Sequence, residues 1–487
     1  MGLPSSDLRI LTTYRQLKNS GSPENGPRIA AKNHRSTPNS SLPGQDQLAE
    51  ATTLRAQRQR QHRQIVMDGQ RTRFTKQRAE EAMSALGTPG DDEHVPTSPI
   101  ARLPVELLAE IFLRLRARIV AGEGPFHDPT PKLDASVTRV CRAWRRVAYG
   151  TPSLWATLAA HNPETVDAYL GRYLPLAKGS LLDIVSQRRG DILLEFLAKL
   201  RPYATRWRAM RILPLGPELG QVRPLSTPSL EYVHVEAFGS KSIYNHVSLE
   251  FLEDASRLHH LHFDARSLAN FTLTLPSMSR LTTLELKVMF FYTERILPTL
   301  QQCSQTLVEL NITAHAHGNE RWPSVGPVHL PALRRLILED KPCEILSAYI
   351  TAPIIEEMTF DCVPGEANPA LLNFLVRVPS AVLCLHRLKF GYFQDFQAVD
   401  SLLQCLPLMT RLEELDLGDI EFEAIIAILN NLICFEDAPP SLPKLSAIMF
   451  TAYGTTILPE LPRSRASRRI ICGVEVAELR RADVTLH

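Results

Sequence analysis

His234 and His262 hold the same place in consecutive copies of a short apolar motif, and Glu285 holds it in the next copy. If those copies are neighbouring strands, the two imidazoles stand roughly 5 Å apart. Glu236, His260 and Asp264 lie nearby in the sequence. Two histidines and a carboxylate are a zinc ligand set, and three protein ligands with an open position can activate water. The plainer reading is a histidine-rich ladder on a strand surface, because no supporting shell of the kind that orients metal-binding histidines can be predicted. The chain has no G-x-x-x-x-G-K-[ST], strand-linked G-x-G-x-x-G, G-x-S-x-G or H-E-x-x-H motif. No cysteine has a recognisable catalytic context. The expectation is a non-enzyme that needs no metal or other cofactor.

What positions these residues is a repeat. An L-x-x-L-x-L pattern with substitutions appears as Trp207/Met210/Ile212, Leu230/Val233/Val235, Leu258/Leu261/Phe263, Leu281/Leu284/Leu286 and Leu307/Leu310/Ile312. It continues as Leu333/Leu336/Leu338, Ile355/Met358/Phe360, Leu385/Leu388/Phe390, Leu412/Leu415/Leu417 and Leu445/Ile448/Phe450, with Leu181/Ile184 as a degenerate earlier copy. The spacing is roughly 20–30 residues, the period of leucine-rich repeats, stretched where loops are inserted. The last two apolar residues of each copy are two apart, so a strand points both into a core. Segments 190–200, 293–303, 370–378 and 420–432 carry helical patterns between the strands. A single strand and helix cannot bury their apolar faces, whereas stacked copies can. The predicted fold is therefore α/β, a curved solenoid over 178–487 with a parallel sheet inside and helices outside. The Asn that regular repeats place after the strand is missing, so irregular turns are expected.

A second pattern precedes the repeats. Residues 103–115 read LPVELLAEIFLRL, with Leu107, Leu108, Ile111, Phe112 and Leu115 at helical spacing. Pro104 suits a first helical turn. After the Pro/Gly-rich stretch 117–133, expected to be a loop, comes SVTRVCRAWRRVAYGTPSLW, where Val137, Val140, Cys141, Trp144, Val147 and Ala148 predict a second short amphipathic helix. So small a unit cannot bury a core alone and should leave apolar surface for a partner. The run LPxELLxEIF followed by VCRxWRxxAxxTPxLW resembles an F-box, and closely resembles those of the large fungal F-box-like group. The resemblance implies a three-helix module over 98–158 that binds the Skp adaptor of a cullin–RING ubiquitin ligase. The positions matching its motif are Leu103, Pro104, Leu108, Phe112, Val140, Trp144, Leu154 and Trp155. Leu103, Pro104 and Phe112 are the first choices for the adaptor surface, and Trp144 could be core or interface. Irregular repeats commonly follow such F-boxes.

Composition narrows the partners. The formal net charge of +2 over 487 residues implies no global attraction to nucleic acid or anionic membrane. The eight cysteines form no Cys-x-x-Cys pair, so buried reduced thiols in an intracellular protein are expected. No secretory signal or membrane-length apolar run is visible, which points to the cytoplasm, the nucleus or both. Residues 1–44 read as disordered. Residues 45–97 read as a polar helix or weak coiled coil plus a linker, and 159–177 as a connecting helix. The cluster RSRASRR at 463–469 reads as a solvated cap or tail.

On the concave sheet face the motif presents Glu236, Asp264, Glu285, Glu309, Glu339, Glu357, Asp361, Glu414 and Asp416 against Lys287, Arg335, Arg387 and Lys389. This imbalance suggests a protein substrate with a basic segment, met by His234, His262, Glu285, Glu309, Glu357 and Asp361. An acidic face that only keeps the sheet soluble explains it equally well. The whole chain reads as the substrate receptor of a ubiquitin ligase. The alternative is a non-ligase scaffold whose F-box-like helices merely cap the repeats.

Overall fold

The computed structural model describes residues 103–486, apart from short stretches at 124–127, 161–162, 187–191, 215–218, 238–244, 267–270, 277–279, 292, 318–325, 341–347, 362–363, 394–395, 421, 438 and 453–459. The expectations for 1–44 and 45–97 lie outside the described residues. Everything below belongs to one compact unit, Thr97–His487.

Three helices open this unit: Val105–Glu123 (α1), Thr130–Val137 (α2) and Arg142–Tyr149 (α3). Pro104 precedes the first helical residue and its carbonyl accepts from Leu108 N. Two expectations fail here. Much of 117–133 is not a loop, because Leu115 and Ile119 carry the stripe of Leu108 and Phe112 onward and pack against the core, so α1 continues to Glu123. Pro131 then lies in the first turn of α2, where its missing N–H costs nothing. Nor do Val137 to Ala148 form one helix. Cys141 is extended, and its Sγ caps α3 by accepting from Trp144 N at 3.4 Å.

The rest is mixed α/β, built on a fourteen-stranded sheet. Its main path runs in chain order through Thr157–Ala160 (β1), Leu182–Ser186 (β2), Trp207–Ile212 (β3), Tyr232–Glu236 (β4), His260–Ala265 (β5), Thr283–Phe291 (β6) and Glu309–His317 (β7). It continues through Arg335–Asp340 (β8), Glu357–Asp361 (β9), Arg387–Phe390 (β10), Glu414–Ile420 (β11), Ala447–Ala452 (β12) and Arg481–Leu486 (β13), while Tyr392–Phe393 pairs beside β11. Every pairing along the path is parallel. Parallel neighbours need a crossover connection. Here the crossovers include Pro163–Ala177 (α4), Ile192–Leu200 (α5) and the later helices Thr293–Gln302, Pro364–Arg377, Phe396–Cys405 and Phe422–Leu432.

Register explains why the motif recurs. Leu158, Ile184, Met210, Val233, Leu261, Leu284 and Leu310 pair successively across β1 to β7. Leu336, Met358, Leu388, Leu415, Ile448 and Ala482 extend the row to β13. All three residues of all ten triplets are buried. The degenerate copy is displaced: Ile184 keeps the row, but Leu181 is exposed and Leu182 is buried instead. Between β3 and β6 the back of the sheet carries short parallel pairs, Leu225–Ser226 with Leu252–Glu253 and Asn245–Ser248 with Phe271–Thr274, where helices were expected.

The three opening helices and the sheet share one core, which runs from Leu108 and Phe112 through Trp155 to Leu461. Counting back from Leu158, Trp155 stands where the first Leu of a motif would stand. It is fully buried, donates from Nε1 to Ala148 O at 2.8 Å and stacks on Tyr173 of α4 at 5.8 Å. The sheet therefore starts inside the segment read as the end of the helical module. At the other end, Arg465 from the basic cluster is buried rather than solvated, and donates to the carbonyls of Leu432, Ser441 and Leu442. We expect Trp155→Ala to cost about 3–5 kcal/mol. Urea unfolding followed by circular dichroism should show the helices and sheet lost together, in one weakened transition.

Candidate functional site

Two surfaces hold the candidate residues. The first is the outer side of α1. Leu108, Phe112, Leu154 and Trp155 are buried, and Phe112, 1% exposed, packs its ring 5.1 Å from that of Trp144. Phe112 thus has no surface to offer a partner in this structure. Leu103 and Trp144 are half-buried against the core, and Pro104 is exposed. Val105 (59% exposed), Leu107 (52%), Ile111 (46%) and Val140 (56%) are large apolar side chains left exposed, with Leu107 and Ile111 one turn apart on α1. Val105 was missed as a surface candidate, and Leu107 and Ile111 were read only as part of the stripe. The signal was present: Leu107/Ile111 and Leu108/Phe112 are two adjacent ridges at i,i+4, wider than one contact needs.

Behind α1 a polar joint ties the helices to the sheet. Asp183 of β2 accepts from Arg116 of α1 at 3.2 Å and from both Nε and Nη2 of Arg208 of β3 at 2.8–3.0 Å. Arg116 also donates to the Thr157 hydroxyl. The Thr157 carbonyl at the sheet edge accepts from the Thr130 hydroxyl at 3.2 Å, while Tyr169 of α4 donates to Asp128 at 2.8 Å. Burial pushes Arg116 below the usual guanidinium range, and Asp183 opposes that shift. Removing one partner of such a buried pair is strongly destabilising, so the joint resists hinge motion between helices and sheet.

The second surface is the sheet face turned away from the core. Alternation along β8, β10 and β11 places charged side chains there. Glu309, Arg335, Glu357, Arg387 and Glu414 sit in one row across β7 to β11. Each neighbouring pair is bonded, at 3.3, 2.7, 3.0 and 3.0 Å in that order. Lys389 adds a pair with Asp416 at 3.2 Å. Four of the nine acids on the face, Glu309, Glu357, Glu414 and Asp416, are thus bonded to its cations, and Asp264 finds Arg266 just past its strand at 2.6 Å. Burial pushes the Asp264 carboxyl up, but the Arg266 hydrogen bonds outweigh it and leave it below its ordinary value. Asp361 lies against Gly391, just past β10, where any Cβ would collide with its carboxylate.

The histidines do come together. The His234 and His262 rings lie 4.0 Å apart, and those of Tyr232 and His260 4.7 Å apart. His262 Nδ1 is 2.7 Å and His260 Nε2 3.4 Å from the Glu285 carboxylate. His234 is buried, its Nδ1 3.5 Å from the Tyr232 hydroxyl. Burial, helped by the nearby His262 and Arg211, pushes His234 down to about 3. Burial also lowers His260, while the His262 hydrogen bond lowers Glu285. Both ring pairs are tilted, at 44° for His234 and His262 and 32° for Tyr232 and His260. Among the described residues no three His, Cys, Asp or Glu side chains group as a metal site.

Comparison with known families identifies an F-box-like domain at residues 100–161, which takes in α1 to α3, Trp155 and β1. F-box domains generally mediate binding to the Skp adaptor. No curated protein matches the chain. No helix among the described residues is long and apolar enough to cross a membrane.

His234 generates a pH prediction. Between its ordinary value of 6.5 and its folded value of about 3, only the unfolded chain binds the proton. Stability therefore falls as pH drops below 6.5, by up to about 1.4 kcal/mol per pH unit. Urea midpoints at pH 7, 6 and 5 should decline less steeply in His234→Gln than in the parent chain.

Proposed function

We propose that the chain is the substrate-receiving, non-catalytic subunit of a Skp–cullin–F-box ubiquitin ligase. The F-box-like helices dock on the Skp adaptor, and the adaptor links them to the cullin. The parallel-sheet unit is read as an irregular leucine-rich-repeat solenoid whose open face captures a protein substrate, in the cytoplasm or nucleus. Catalysis is then proximity: a substrate lysine is held beside a charged conjugating enzyme supplied by the rest of the complex. The observation that carries this reading is the exposed apolar pair Leu107 and Ile111, one turn apart on α1, in a domain that matches the F-box-like family. A rigid joint supports it further, since a receptor must hold its two docking surfaces at a constant separation.

A second reading has its own support. Because the helices cover the β1 edge and share the sheet's core, they serve as an N-terminal cap, and capping alone would suffice in a scaffold that binds no adaptor.

Adaptor binding separates the two. A Leu107→Glu/Ile111→Glu double variant changes only exposed positions, so its unfolding temperature should match the parent's. In the receptor reading, calorimetry with purified Skp adaptor gives a complex for the parent and at least about a hundredfold weaker binding for the variant, as expected when charges enter an apolar interface centre. A folded parent chain that binds no adaptor leaves the scaffold reading standing.

A further inference from the structure

The open face divides into two parts with different electrostatics. From Glu309 to Glu414 three carboxylates share two arginines, and each carboxylate of the row bonds at least one. Glu285, half-buried on β6, is different. Its side-chain partners are His260 and His262, and Lys287 two residues along the strand attracts it through space without a bond. Glu285 thus has imidazoles where the rest of the row has guanidinium groups, and no permanently charged side chain bonds it. Next to it in register on β7 stands Asn311, whose Oδ1 is buried and accepts no hydrogen bond. A buried acceptor without a donor is costly unless something else supplies one.

The floor beside this pair is aromatic. Tyr232 and His260 form one ring pair, and Tyr232 meets His234 edge-on at 6.4 Å. The guanidinium of Arg211 lies 5.2 Å from the centre of the Tyr232 ring and takes up part of its surface, which leaves the His260 ring beside Glu285. Rings beside a carboxylate favour cations, and an acceptor oxygen adds a directed bond.

We propose that the face takes one arginine or lysine side chain of a protein partner at Glu285, with His260 beside it and Asn311 Oδ1 as a further acceptor. This rests on the reading of the sheet as the capture surface and makes it specific: the ladder from Glu309 onward is self-satisfied, and selection is made at Glu285. An arginine suits the site better than a lysine, because a planar fork can bond carboxylate and amide oxygen together while lying against a ring.

The test uses the full chain with ring-labelled histidines, followed by NMR during titration with N-acetyl-arginine amide. N-acetyl-citrulline amide, the uncharged isostere, is the control. The arginine probe should shift the His260 and His262 ring signals saturably. The citrulline probe should bind about tenfold more weakly. Glu285→Gln should abolish the arginine response while leaving the His234 signal in its folded position. Equal responses to both probes, no response to either, or an arginine response that survives Glu285→Gln would overturn the proposal. Adaptor binding is measured on the same samples. A chain that binds adaptor but not arginine loses this inference alone, and one that binds arginine but no adaptor loses the ligase reading alone.

Discussion

Each strand of the sheet turns two apolar side chains toward the core, and neither can be buried without the strands on both sides. That dependence on neighbours governs the molecule. It is why the motif recurs in phase from Leu158 to Ile448, and why the first strand, which has no strand before it, needs another cover. The F-box-like helices provide it: Thr130 and Arg116 satisfy Thr157 at the edge, and Trp155 fills the place that a leucine fills in later copies. Helices that would be too few to fold alone thereby gain a core, and the sheet gains an end.

The same stacking sets the rules for the open face. Residues in one row of neighbouring strands are about 5 Å apart, so a row of like charges would repel. Alternation of Glu and Arg from Glu309 to Glu414 turns that liability into a ladder. Partly exposed pairs of this kind contribute at most about 1 kcal/mol each, so the ladder specifies register and lowers net charge more than it stabilises. Glu285 departs from the rule because its neighbours in β5 are imidazoles.

Much of the architecture was legible in the sequence. The ten triplets predicted strands, their burial and their order, because a period-two apolar pair has one way to face a core. The stripe of Leu108 and Phe112 predicted α1. The end of α1 was not legible, since Gly and Pro after residue 121 read as a loop while Ile119 still had a core to reach. On the candidate surfaces, residue types were visible but their roles were not. Phe112 looked like interface and is core. Glu309 and Glu357 looked like free acid and are bonded to Arg335. Arg465 looked solvated and is buried.

By itself, the sequence determined the period, the strand faces and the parallel sheet, because these follow from local spacing of apolar residues, while the F-box-like segment was read from the resemblance of its motif residues to a known family. Only the tertiary structure decided which side chains remain available. Availability depends on what comes across from another strand or helix: Arg116 reaching Asp183, Arg335 standing between two glutamates, Trp144 closing over Phe112. Such partners are separated by tens of residues in the chain, and spacing along it says nothing about which of them will meet.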